Sequence, residues 1–407
     1  MKAPDTQVYD IAVVGAGAVG LAFAAAIKRE AGALVKVALV ALGPQAGDGR
    51  VRTVALSPGS RALLERVGAW RTLESQAEPI LEMAIYDGAP EDAVRLEQLR
   101  FANPDGAPLA HMAFNDDVTA ALRLAAEEAG VRFIEGAVAE LAAQPFVAAL
   151  TLADGREIRA RLIVAADGAR SKLRALADIA TTGWSTGQSG IVATIAHERE
   201  HAGRAEQHFL PAGPFAMLPL QGRRSSIVWN ERSAEAERLV AADEVEFIAA
   251  LEQRFSPRLG RLSLASRAHA FPLEFRLARA FVGARLALIG DAAHLVHPLA
   301  GLGLNLGLRD VAALAEALIE RLRLGLDPGD REPLEDYQQR RRFDALTSGL
   351  GMDAMNRVFS NDFAALRFAR DLGLRIVDRV GPLKRRFIAE AGGDGPSAPK
   401  LLRALGL

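Results

Sequence analysis

The sequence predicts an α/β protein: a doubly wound sheet, interleaved with a mostly antiparallel second sheet and followed by a helical C-terminal region. Three observations carry this. Near the N-terminus an apolar run, a glycine-rich turn, an alanine-rich stretch and a second apolar run follow one another, the β-turn-α-β order that opens a parallel sheet. From Gln188 to about Phe271 the texture changes to short strand-like pieces, "SGIVATIAH", "AEQHFL", "FAMLPL" and "SSIVWN", as an antiparallel sheet requires. After Asp310 the chain turns mostly helical, including Met352 to Asp378, where Met355, Phe359, Phe363 and Leu366 step at helical spacing.

Taken in order, "IAVV" at 11–14 is a short strand, Gly20 to Glu30 a helix, and "VKVALVAL" from Val35 the second strand. Asn115 to Gly130 has capping residues at its start and glycine at its end, so it is a helix. "RFIEGAVAEL" and "VAALTLADGREIRARLIVAADG" supply further strands, with a hairpin signal at Asp154-Gly155. The last strand leads through "LALIGDAAHLVHPLAGLGLNLGLRD" into a helix from about Asn305. A chain of 407 residues exceeds one ordinary core. The expected division is 1–75, 108–182 and 272–330 in the first domain, 76–107 and 183–271 in the second, and 331–407 in the helical region.

Composition narrows the function. The net charge of −1 argues against nucleic acid, which calls for a basic face. The absence of cysteine excludes disulfides and thiolate metal sites and fits a reducing compartment. Ile11 to Ile27 and Ala292 to Leu308 carry no formal charge, but both are shorter than the roughly 20 residues of a membrane span. Asp5 and Asp10 spoil the positive start of a secretory signal. A soluble, cytoplasmic protein without a targeting segment is expected.

"GAGAVG", Gly15 to Gly20, fits G-x-G-x-x-G between a strand and a helix. Gly15 permits the tight turn, Gly17 lets a pyrophosphate approach the backbone, and Gly20 allows close helix–strand packing. The acid that usually holds the ribose, about 20 positions later, is missing: Ala41 stands there, with Glu30 too early and Asp48 in the following loop. In "RLIVAADGARSKLR" the strand ends in Asp167-Gly168. This is either a plain Asp-Gly turn or a place where Asp167 and Arg170 meet a cofactor's phosphates. The stretch around Asp291 repeats the strand, glycine loop and helix arrangement late in the chain. NAD needs one helix N-terminus, for its pyrophosphate, whereas FAD also has a ribityl chain and a flavin ring. Asp291 can accept hydrogen bonds from ribityl hydroxyls, and a helix N-terminus beside the ring stabilises negative charge on the reduced flavin. Two glycine loops therefore suit one long cofactor, FAD, on a Rossmann-like domain. His294 and His297 have ligand spacing, but Pro298 follows at once and no carboxylate pair completes a metal site. No G-x-S-x-G elbow marks a hydrolase.

These three motifs, in this order, resemble the FAD-dependent aromatic hydroxylases of the para-hydroxybenzoate hydroxylase type. More narrowly the chain resembles the ubiquinone-biosynthesis hydroxylases, through "RTVALSPGSRALLERVGAW" from Arg52, "GWSTGQSGIVATIAHEREH" from Gly183, "FLPAGPFAMLPL" from Phe209, "SSIVWN" from Ser225 and "HPLAGLGLNLGLRD" from His297. The resemblance implies that Gly15, Gly17 and Gly20 meet the FAD pyrophosphate. It puts Arg52 near the phosphates or ring, gives Asp167 to a motif linking the FAD and NAD(P)H sites, and assigns Asp291 to the ribityl chain. Pro298 borders the flavin, and Gly301, Leu302, Gly303 and Asn305 supply contacts to its ring. Leu302 replaces the family's glutamine, Thr186 its tyrosine and Ala41 the acid.

The activity so implied is hydroxylation of a polyprenylated phenol by O2 through a C4a-hydroperoxyflavin, with NAD(P)H or a reduced ferredoxin as transient electron donor. No side chain is singled out as catalytic, because the cofactor carries the chemistry. A catalytically degenerate FAD-binding scaffold in a biosynthetic assembly, or a flavin reductase acting on isoprenoid double bonds, is the alternative. The substrate face comes from the strand-rich segment around Gln188, Phe209 and Phe215 to Leu220, unless these residues are sheet core. From Arg321 onward 16 Lys/Arg stand against 12 Asp/Glu, so "QQRRRFDAL" and "PLKRRF" could touch an anionic inner-membrane surface or a partner subunit, or be solvated helix faces. The oligomeric state is left open.

Overall fold

The computed structural model describes residues 7–43, 51–88, 97–255, 257–296, 302–359, 392 and 398–403. The first sheet has the spatial order Val282–Gly283, Leu286–Leu288, Glu157–Ala165, Val8–Val14, Val37–Ala41 and Arg132–Glu135. Its five central strands, from Leu286–Leu288 to Arg132–Glu135, run parallel. Ile11, Ala12, Val13 and Val14 are all buried, as expected where both faces of a parallel strand are covered. The Asp-Gly hairpin forms as expected: Ala148–Leu152 pairs antiparallel with the start of Glu157–Ala165, and Gly155 takes a φ of +84° in the turn.

Helix Ala18–Ala31 follows the first strand and is buried along nearly all its length. Its run of alanines lets sheet and neighbouring helices close on it from several sides. It begins two residues before the expected Gly20, because Gly17 itself serves as N-cap. The late helix also starts before Asn305, spanning Leu302–Arg323: Gly303 occupies its first turn, where backbone N–H groups have no partner to lose. Helix Arg331–Phe359 covers the expected Met352–Asp378 helix as far as residue 359. The remainder, with "PLKRRF", lies outside the described residues. No described helix is long and apolar enough to cross a membrane.

The second sheet has the order His294–Leu295, His269–Ala278, Thr181–His197, Arg224–Arg232, Gly213–Leu220, Arg204–Leu210, Glu82–Asp87 and Glu97–Ala102. It is antiparallel as expected, apart from the parallel pair Arg204–Leu210 and Glu82–Asp87. Trp229, Phe215 and Phe247 anchor the core beneath it. Its edge strand, His294–Leu295, is part of the Asp291 loop, so that loop belongs to both sheets.

A small sheet of Thr53–Leu56, Ala110–Phe114 and Glu78–Ile80 holds His111, which sits edge-on to Trp70 at 5.1 Å and 3.5 Å from Arg61 Nη1. Burial, reinforced by the Arg61 charge, lowers its pKa from 6.5 to about 4. The folded protein therefore binds this proton less readily than the unfolded chain, so stability falls as pH drops from 6.5 towards 4. Between pH 8 and 5 the loss attributable to His111 is about 1–2 kcal/mol. Urea unfolding at the two pH values, for wild type and His111→Phe, should show that increment only in the wild type.

Candidate active site

The N-terminal glycine loop is built from three glycines with different reasons to be glycine. Gly15 has a φ of +114°, and a Cβ there would stand 2.2 Å from the Ala166 carbonyl oxygen. A Cβ on Gly20 would meet the Gly15 carbonyl oxygen at 2.1 Å. Both lack a side chain so that strand, turn and helix can touch. Gly17 has ordinary dihedrals, φ −71° and ψ 170°, and a Cβ there would meet nothing within 4 Å. The protein's own packing gives no reason for this glycine; a ligand drawn against the backbone does. No acidic side chain occupies the first turn of the helix it caps, so the N–H groups there remain available to an anion.

The second glycine loop comes to the same place. Val19, in the first turn of helix Ala18–Ala31, packs into the gap left by two later glycines: a Cβ on Gly307 would lie 2.6 Å from Val19 Cγ2, and one on Gly290 3.1 Å from Cγ1. A cleft of about 470 Å³ opens between them, with Gly17, Arg52, Asp291 and Gly303 around it. Gly303, like Gly17, has nothing within 4 Å of a would-be Cβ. Two helix N-termini, each with an unhindered glycine, thus border one cleft. Its remaining walls are mostly apolar: Val54, Val192, Val228, Phe271, Leu273 and Leu295.

Each charged group at the cleft is positioned by its element. Asp291 lies on the turn Gly290–Ala292. The mass of protein around it raises its pKa above the ordinary value, against the pull of His294 and Arg52. Arg52 stacks its guanidinium over the Phe271 ring at 4.4 Å. Asp167 accepts the Leu173 N–H at 3.1 Å through Oδ2, while its buried Oδ1 has no hydrogen-bond partner. Its neighbours Ala166 and Gly168 line the cleft. Glu274 also borders it, 2.6 Å from Arg276.

Behind the cleft lies a buried ionic tie. His294 Nε2 donates to Asp310 at 2.6 Å, Arg341 Nε donates at 2.7 Å, and the Gly290 N–H at 2.9 Å. Burial opposes the Asp310 charge, but His294 and Arg341 outweigh it and hold the carboxyl below its ordinary pKa. His294 thus spends its ring nitrogen on Asp310. Asn305 is also committed internally: its amide donates to Ala55 O at 2.7 Å and accepts from Ser57 N at 3.0 Å and Ser60 Oγ at 2.6 Å. It holds the Ala55–Ser60 turn and does not line the cleft. Pro298 and Gly301 lie outside the described residues, and of Leu302 only the backbone is described.

The apolar wall was missed in the sequence. Phe209 and Phe215 to Leu220 prove to be buried sheet residues, so the core alternative holds for them. The face presented to the cleft comes instead from Val192, Val228 and Phe271 to Glu274. Thr186, where the family has tyrosine, donates to the Leu273 carbonyl at 2.9 Å and so braces that wall. A larger cavity, about 1020 Å³, is bordered by Tyr9, Phe133, Glu135 and Asp154; neither helix N-terminus reaches it.

The donor set fits FAD. A backbone cradle at Gly17, an unpartnered Asp167 oxygen, a carboxyl at Asp291 and a second helix N-terminus at Gly303 are the kinds of group that would hold one long dinucleotide. Comparison with known proteins agrees. Residues 8–345 match the family described as an FAD binding domain. The chain is 40% identical over 410 residues to ubiquinone hydroxylase UbiL of Rhodospirillum rubrum, covering 98% of this chain and 94% of that one. It is 33% identical to 3-demethoxyubiquinol 3-hydroxylase of Escherichia coli, covering 95% of this chain and 99% of that one. Among solved structures, p-nitrophenol 4-monooxygenase PnpA from Pseudomonas putida has the same fold, with a TM-score of 0.76 at 21% identity over 96% of this chain and 99% of that one. Klebsiella pneumoniae HpxO complexed with FAD and uric acid superimposes with a TM-score of 0.74 at 17% identity, covering 95% and 97%. The chain belongs to the FAD-dependent hydroxylases of ubiquinone biosynthesis.

Proposed function

We propose that this enzyme hydroxylates the aromatic ring of a polyprenylated phenol, with O2 as co-substrate and FAD held across the 470 Å³ cleft. The observation that carries the reading is the meeting of Gly17, Arg52, Asp291 and Gly303 around one apolar-walled space. Bound FAD supplies the redox and oxygen chemistry. The chain's own residues have other tasks. Gly15, Gly17 and Gly20 shape the turn, and the helix N-terminus behind Gly17 takes the pyrophosphate charge. Asp291 accepts hydrogen bonds from sugar-alcohol hydroxyls, and Asp167 shapes the turn between Ala166 and Gly168 at the cleft wall. The N-terminus of Leu302–Arg323 opposes negative charge on the ring. Val192, Val228 and Phe271 exclude water and hold the phenol by area burial.

The electron donor in this reading is NAD(P)H or a reduced ferredoxin that visits transiently, since the sequence holds no second G-x-G-x-x-G. The FAD-binding unit comprises 1–75, 108–182 and 272–330, and the substrate unit 76–107 and 183–271. The net-basic C-terminal region provides peripheral contact with a membrane or biosynthetic complex. Purified protein should carry FAD and, with donor, O2 and a prenylphenol, release a hydroxylated product resolved by mass spectrometry. Bound FAD without product under either donor would leave the scaffold reading in its place.

A further inference from the structure

Doubly wound dinucleotide sites place an acid at the end of the second strand, where it binds the ribose hydroxyls. Here Ala41 occupies that position, and no carboxylate on its own strand replaces it. We propose that Glu135, at the end of the neighbouring strand, supplies the missing carboxylate and binds the adenosine ribose of FAD. The inference rests on the FAD reading above and adds a residue to it.

Register carries the argument. Strands Val37–Ala41 and Arg132–Glu135 pair in parallel, with Ala41 directly opposite Glu135. Register partners in adjacent strands project from the same face, about 4.8 Å apart. Glu135 therefore stands level with Ala41, on the face where the usual acid would project, one strand further along. The strand ends are locked together there: the Gly136 N–H donates to Ala41 O at 2.9 Å, and the Gly15 N–H donates to Val40 O at 2.9 Å. Glu135 borders the larger cavity and not the cleft itself. These bonds nevertheless put its strand end and the pyrophosphate turn on one edge of the sheet, so an adenosine that leaves the cleft along that edge passes it.

The side chain also leans the right way. A Cβ on Gly43, two residues past Ala41, would lie 2.5 Å from Glu135 Oε1. The carboxylate thus reaches back over the exit of the second strand, into space that Gly43 leaves clear. Among the described residues its carboxylate makes no hydrogen bond or ion pair, the nearby Arg156 Nη2 donating instead to the Glu135 backbone carbonyl. The position starts one strand spacing, about 4.8 Å, from the usual one, and the lean of the carboxylate over Gly43 takes up part of that distance.

The test measures FAD affinity of apo-protein by quenching of flavin fluorescence, independent of turnover. The ligands are FAD and an analogue whose adenosine lacks both the 2′- and 3′-hydroxyls. Wild type should prefer FAD, and Glu135→Ala should weaken FAD binding about 10- to 100-fold while leaving analogue affinity unchanged. Glu135→Gln, which keeps shape and one acceptor, should fall between. Ala41→Glu in the Glu135→Ala background should restore both FAD affinity and the preference for the hydroxylated ligand. The proposal is overturned if Glu135→Ala binds FAD as wild type does, or loses affinity equally for both ligands. It is also overturned if the preference disappears in Asp48→Ala but survives in Glu135→Ala. Wild-type protein that binds neither ligand would instead sink the FAD reading itself.

Discussion

Gly17→Asp should yield a folded protein without flavin. A Cβ at this position meets nothing within 4 Å, and the dihedrals suit any residue. The apo-protein should therefore melt within about 2 °C of apo wild type. The cofactor would feel the change fully, because the new carboxylate stands at the helix N-terminus where the pyrophosphate must sit. Like charge and lost backbone approach together should weaken FAD binding about 100-fold or more, and hydroxylation should disappear with it. Gly15→Ala gives the opposite pattern. Its Cβ would be forced to within 2.2 Å of a backbone oxygen at a φ of +114°. Neither atom can yield cheaply, so the fold itself should lose about 3–5 kcal/mol. Circular dichroism melting of apo-proteins, set beside flavin titration, separates the two outcomes. If Gly17→Asp copurified with FAD at wild-type stoichiometry, the pyrophosphate could not lie at this turn.

This contrast also marks where sequence sufficed. Local order was legible: "IAVV", the glycine turn and the alanine-rich helix declare themselves because each depends on residues within a few positions. So did the Asp291 loop, whose glycines signal close backbone approach wherever they sit in the chain. The wall of the cleft was not legible. Phe215 and Phe271 look alike in sequence, and only the pairing of strands tells which is buried in the sheet core and which faces the cofactor space. Asn305 shows the same limit: its hydrogen bonds with Ala55, Ser57 and Ser60, some 250 positions away, could not be read from the glycine loop beside it. Glu135 could not be singled out at all without register, since its relation to Ala41 exists only across a hydrogen-bonded ladder.

A stability loss as large as that of Gly15→Ala should come from Asp310, whose partners lie 16 and 31 residues away. Asp310 is fully buried, and the Arg341 side chain is 5% exposed. Removing one member of such a pair strands a desolvated charge, and breaking a buried ion pair in this way costs about 3–5 kcal/mol. Asp310→Ala should lose that much in urea unfolding at pH 7. Pairing Asp310→Leu with Arg341→Met should cost less than the two single changes added together, because no charge is then abandoned. The pH dependence has a definite sign. The Asp310 carboxyl is held below its ordinary pKa, so the unfolded chain takes up the proton first. Its contribution is complete above about pH 3.9 and is lost as pH falls through the lower folded value. The gap between wild type and Asp310→Ala should therefore hold steady from pH 7 to 5 and narrow only in stronger acid. Flavin affinity should fall in the same variant, because the Gly290 N–H and His294 that Asp310 holds flank Asp291. A gap that instead closed near neutrality would mean that the Asp310 carboxylate is not the centre of the tie.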